Sequence, residues 1–174
     1  MILVNLYGAP GSGKSTGAAY IFSQLKMAGI NAELVTEFAK DKVWEESKEV
    51  FNNQAYIFGK QYFRISRCMD KVDVIVTDSP LALSAFYNNS EILGEEFANV
   101  VMKVANSFNS KNYFIKRAKP YNPKGRFQTE DEAKQVDSNL ETFLKNNNIN
   151  YEIEQGNRDG YDNIVKQILS TFDF

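Results

Sequence analysis

The sequence of 174 residues has no histidine and a single cysteine, Cys68. Without an imidazole there is no histidine general base, metal ligand or pH switch, so proton handling falls to carboxylates. One cysteine excludes an intramolecular disulfide and a cysteine-based zinc site, and it suits a reducing compartment. The expected role of Cys68 is packing on a helix. Charge of one sign is also missing: 20 Lys and Arg against 22 Asp and Glu leave a net −2. No global field therefore draws the chain onto nucleic acid or anionic lipid. No apolar run approaches the roughly 20 residues of a membrane span. The first residues read as a core strand rather than a secretory leader, so the expectation is a soluble, cytoplasmic protein without a membrane partner. With a hydrophobic fraction of 43%, residues 1–174 are expected to form one domain with a sizeable core.

Against that background stands Gly8-Ala-Pro-Gly-Ser-Gly-Lys-Ser15, a full match to G-x-x-x-x-G-K-[ST]. The apolar run 2–7 precedes it and a helical pattern over 16–27 follows, the strand–loop–helix context of a phosphate cradle. Gly8, Gly11, Ser12 and Gly13 let backbone N–H groups turn inward on a polyphosphate, and the helix N-terminus adds a positive dipole end. Lys14 is expected on the β- and γ-phosphates, the Ser15 hydroxyl on Mg²⁺, and Thr16 beside them. The cofactors expected are ATP and Mg²⁺.

The remaining chain alternates strand-like and helical runs. Strands are predicted at 32–36, 72–77, 113–115 and 151–153. Helices are predicted at 48–71, 95–108, from Thr129 (with Glu132 completing a capping box) and at 162–172. Such alternation predicts an α/β fold, a mostly parallel sheet of about five strands with helices on both faces. Ligands in such sheets lie beyond the strand C-termini.

Three features follow strand ends. Asp78 follows the third strand, as the second Mg²⁺-organising carboxylate of a P-loop protein does; its neighbours Ser79 and Pro80 offer no carboxylate to activate water, which favours transfer to a bound acceptor over hydrolysis. Glu37 follows the second strand and is a candidate to accept the proton of an acceptor hydroxyl or to help order Mg²⁺; a solvated or helix-capping glutamate is the other reading. The segment 116–126 holds five cations and no acid, with Pro120 and Pro123 making it loop-like. It is a candidate lid over about 117–128, with Arg117 and Arg126 clamping the charge that develops in transfer. A basic loop that is solvated or touches nucleic acid is its alternative. On the helix before the third strand, Gln54, Phe58 and Gln61 lie near one face, where amides and a ring suit a nucleobase acceptor; a core-packing helix is the alternative.

Together these residues resemble the P-loop nucleoside and nucleotide kinases over nearly the whole chain. Val35-Thr-Glu-Phe-Ala-Lys40 is similar to the E-x-A-R region of ribosylnicotinamide kinase-like domains, with Lys40 in place of arginine. By position Glu37 and Gln54 match the base and the nucleobase-reading glutamine of deoxynucleoside kinases. Asp78-Ser-Pro80 with Ser84 and Phe86-Tyr87 echoes the Asp-Arg-Tyr region of thymidylate kinases, and the missing arginine at 79 favours a hydroxyl acceptor. Small phage-encoded kinases, some proposed to act on a hydroxymethylated base within DNA, also resemble the chain and would act in the host cytoplasm. The resemblance implies that Asn157 and Arg158, after the last strand, contact adenine. The expected activity is Mg²⁺-ATP-dependent phosphotransfer to a hydroxyl or phosphate of a small nucleoside or nucleotide. A kinase acting on a polynucleotide and a P-loop ATPase or switch are the alternatives. Nothing in the sequence sets an oligomeric state.

Overall fold

Residues 3–7 are all buried, as a strand covered on both faces by other elements must be. In the computed structural model, which describes residues 1–40, 50, 52–118 and 130–172, this segment is the central strand β1 (Ile2–Tyr7). The other strands are β2 (Ala32–Val35), β3 (Val74–Thr77), β4 (Ser110–Lys116) and β5 (Glu152–Gln155). They form one five-stranded sheet in the order β2-β3-β1-β4-β5, parallel at every pairing. The expected α/β fold is thus found, and its sheet is parallel throughout.

The helices are α1 (Lys14–Met27), α2 (Gln54–Ser66), α3 (Leu83–Phe86), α4 (Gly94–Ala105), α5 (Glu130–Asn146) and α6 (Arg158–Leu169). Strand alternation divides the core between the two faces of the sheet. Val4, Leu6, Val76, Tyr113 and Ile115 pack with Ile21 and Leu25 of α1 and Ile164 and Ile168 of α6. Leu3 and Ile75 pack with Phe58 and Ile65 of α2 and Val101 of α4. Tyr7 and Phe114 pack with Leu140 and Leu144 of α5. Cys68, expected on a helix over 48–71, lies in the turn after α2, which ends at Ser66, and packs at the edge of the same cluster.

Several boundaries differ from those the sequence predicts. α2 begins at Gln54, where the Asn53 side chain accepts the Tyr56 N–H at 3.0 Å and caps the first turn. Residues 41–49 and 51, and Thr129 with most of the basic segment, lie outside the described residues. α6 starts four residues before the predicted 162, because the Asn157 side chain accepts the Gly160 N–H at 3.0 Å. The short helix α3 has too few residues to show a period. Among the described residues no helix is long and apolar enough to cross a membrane.

α1 and α6 approach so closely that only glycine fits between them. A Cβ at Gly17 would lie 2.5 Å from Tyr161 Cε1 and 2.9 Å from Cδ1. Gly17→Ala is therefore expected to overpack this contact by about 1–3 kcal/mol and lower Tm by roughly 3–10 °C. A thermal melt followed by circular dichroism checks this; an unchanged Tm would mean that α6 yields at no cost.

Candidate active site

The loop after β1 turns sharply because Gly8, Gly11 and Gly13 take φ of 135°, 84° and 108°, left-handed values that a side chain strains. At Gly8 a Cβ would also sit 2.8 Å from the Ile115 carbonyl oxygen and from Ser12 Oγ. Gly13 is the N-cap of α1 and places no side chain over its first turn. The first-turn N–H groups, which have no partner within a helix, are thus left for an outside acceptor. Ser12 Oγ is buried here without a hydrogen-bond partner. Both features suit an anion with several oxygens.

A loop that turns its N–H groups one way turns carbonyls the other way, and those need donors. Lys14 Nζ donates to the Gly8 and Ala9 carbonyls at 2.6 and 3.1 Å. Arg117 donates to the Pro10 carbonyl at 3.3 Å. The Tyr161 hydroxyl donates to the Gly13 carbonyl at 2.9 Å. Asp137 of α5 accepts the Ala9 N–H at 2.6 Å, and its other oxygen lies 3.8 Å from the Arg117 guanidinium. Lys116 pairs with Glu141 one turn further along α5. Gly156 donates to the Lys116 carbonyl at 2.7 Å, and a side chain at 156 would collide with the Ser12 backbone.

On the other side of β1, Asp78 follows β3 and is 4% exposed. Its Oδ1 accepts the Glu37 N–H at 3.0 Å. The registers Val35↔Thr77 and Asn5↔Thr77 keep the strand ends level, so that this bond can form. Gln61 braces the same corner: its Oε1 accepts the Phe38 N–H at 3.0 Å, and its Nε2 reaches the Thr36 carbonyl and Thr77 Oγ1 at 3.4 Å. Arg64 donates to the Thr36 carbonyl at 3.2 Å and lies over the Phe38 ring at 5.2 Å. Tyr87 is 42% exposed, and its phenol is pushed up to about 12 by the protein packed against part of it and then by the Glu37 and Asp137 carboxylates.

Residues 3–159, from β1 into the first turn of α6, match the family model described as an AAA domain, a family of P-loop NTPases. The chain belongs to this family. No curated protein matches it. As an AAA domain it is a nucleotide-binding P-loop protein. Its oxygen donors are of the hard kind that Mg²⁺ takes beside phosphate and water: the Ser15 hydroxyl, which is exposed, and the Asp78 carboxylate.

The AAA domain brings the cradle, Lys14, Ser15, Asp78, Glu37 and Arg117 to one edge of the sheet. Asn157 caps α6 next to Gly156, and Arg158 is exposed, 3.7 Å from Asp162. Arg126 lies outside the described residues. On α2 the expected acceptor face proves to be the buried one. Phe58 is in the core, Gln61 has its amide occupied at both ends by the protein, and Gln54 is 8% exposed at the helix start. The core-packing alternative describes Phe58 and Gln61. Sequence reasoning missed Asp137, Tyr161 and Gly156, and it quoted Tyr87 only within a family echo. Asp137 is one of several acids on a polar helix, and nothing local marks it.

Asp137→Ala removes the acceptor of the Ala9 N–H and the partner of Arg117. A stranded buried N–H costs about 1–3 kcal/mol, so roughly ten-fold weaker binding of a fluorescent ATP analogue is expected. Asp137→Asn, which keeps an acceptor oxygen, is expected to lose less. Wild-type affinity in the alanine variant would show that α5 does not hold the loop.

Proposed function

We propose that residues 1–174 form a Mg²⁺-ATP-dependent phosphotransferase that moves the γ-phosphate to a hydroxyl or phosphate of a nucleoside or nucleotide. The observation that carries this is the order of groups along the sheet edge. Strand order β4-β1-β3-β2 sets out Arg117, the phosphate cradle, Asp78 and Glu37 in a row. That row reads as charge clamp, phosphates, metal side and acceptor side, the succession an in-line transfer needs.

In this proposal Lys14 and the loop amides hold the polyphosphate, with Gly8, Gly11, Ser12, Gly13 and Thr16 shaping its cradle. Ser15 and Asp78 would hold Mg²⁺, which when bound offsets charge on the phosphate oxygens. Glu37 takes the proton of the acceptor hydroxyl, its position set by the bond from its own N–H to Asp78. Arg117, with Arg126, neutralises the transferring group. Asn157 and Arg158 border the adenine side, and Gln54 the acceptor side. The pair after Asp78 is Ser79-Pro80, which supplies no carboxylate to activate water.

Membership in a family of NTPases favours a second reading, an ATP-driven switch that releases phosphate with no acceptor. One experiment separates the two: γ-labelled ATP and Mg²⁺ incubated with nucleosides, nucleoside monophosphates or DNA, with the label followed. Label on a nucleoside or nucleotide, free or as a unit of the DNA, is the expected result; label only in free phosphate, at the same rate without acceptor, would establish the switch.

Two substitutions test the roles assigned. Lys14→Ala is expected to abolish transfer, and retained turnover would remove the cradle from the mechanism. Glu37→Gln is expected to leave ATP binding nearly unchanged and slow transfer by roughly 10² or more. A rate within a few-fold of wild type would make Glu37 structural.

A further inference from the structure

The outward face of α2 alternates aromatic rings with cations. Tyr56, Lys60, Phe63 and Arg67 follow one another at spacings of four, three and four residues, which sets them on one line along a helix. All are exposed, Phe63 by 65% and Tyr56 by 41%. The two rings, with Ala55, Gly59 and Lys60, border a shallow, open hollow on the surface of this one helix. Gly59 keeps its floor open, since even a Cβ there would meet nothing within 4 Å. From Gln54 to Met69 the sequence has Lys60, Arg64 and Arg67 but no Asp or Glu, in a chain of net charge −2. The local charge is therefore opposite in sign to that of the whole molecule.

Flat rings spaced between cations match one kind of occupant better than others. A single-stranded polynucleotide offers unpaired base faces to the rings and phosphates to the cations, whereas in a duplex the base faces are already stacked. Tyr56 and Phe63 are seven residues apart, about 10 Å along a helix axis, which is about three nucleotides at stacked spacing. The strip begins at the acceptor end of the site: the Tyr56 ring meets the Phe38 ring edge-on at 5.5 Å, and Phe38 follows Glu37. We infer that the outward face of α2 binds a single-stranded polynucleotide and leads it toward Glu37, so that the acceptor is part of a strand. The binding stands on the α2 surface alone, while delivery to Glu37 rests on the phosphotransferase reading.

The test uses the full chain with a short fluorescein-labelled oligothymidylate, single-stranded or annealed to its complement, in an anisotropy titration at several salt concentrations. Single strands are expected to bind at least ten-fold more tightly than the duplex. Phe63→Ala is expected to weaken single-strand binding by roughly ten-fold. Arg67→Ala is expected to reduce the slope of log Kd against log salt by about 0.7. Neither residue touches the cradle, so both variants should bind a fluorescent ATP analogue as wild type does. No single-strand binding, or binding that both variants retain in full, would overturn the inference. So would self-association of the chain that Phe63→Ala abolishes, since the face would then be a contact between copies. Transfer of label from ATP is scored separately. Oligonucleotide binding without any transfer leaves the strip standing and overturns its delivery role. Transfer to free nucleosides by a chain that ignores oligonucleotides overturns the strip and leaves the phosphotransferase intact.

Discussion

A backbone that gathers N–H groups around an anion must turn carbonyl oxygens to its other side, and a buried carbonyl without a donor costs about 1–3 kcal/mol. Much of this structure answers that demand. Lys14 folds back on Gly8 and Ala9, Arg117 reaches Pro10 from the end of β4, and Tyr161 reaches Gly13 from α6. Asp137 adds a bond from α5 to the Ala9 N–H. Elements from both faces of the sheet thus converge on a loop six residues long. The cradle keeps its shape because the fold holds it from behind, and this leaves its concave side for phosphate.

The sheet supplies the second constraint. In a parallel sheet every strand ends at the same edge, and the register decides which ends lie level. A slip of one residue between β2 and β3 would turn Val35 and Thr77 to opposite faces and part Glu37 from Asp78. The apolar clusters on the two faces resist such a slip, since Val76 and Ile75, both fully buried, each fit the helices on their own face. Site geometry and core packing are therefore one problem with one solution.

What was legible in the sequence was what is local or periodic. The cradle could be read because its glycines, strand and helix adjoin in the chain. Asp78 and Glu37 could be read because strand alternation brings strand ends to one edge. Asp137 and Tyr161 could not, because their bonds span 128 and 148 residues and nothing nearby in sequence signals them. The case of α2 is subtler. Helical spacing correctly grouped Gln54, Phe58 and Gln61 on one face, but a period says which residues share a face and not what that face meets. It meets the sheet, and Gln61 became a brace. The start of α6 was misjudged for a related reason: Asn157, expected at adenine, also serves the backbone as a cap.

The bond between Glu37 and Asp78 is donated by backbone and not by side chain. Any residue except proline at position 37 retains that donor. The end of β2 is thus anchored beside Asp78 whatever side chain it carries, and the identity of that side chain is left open to change. Position and chemistry are separately encoded at this point in the fold. A change of side chain at position 37 can therefore alter the chemistry offered there while the end of β2 stays where it is.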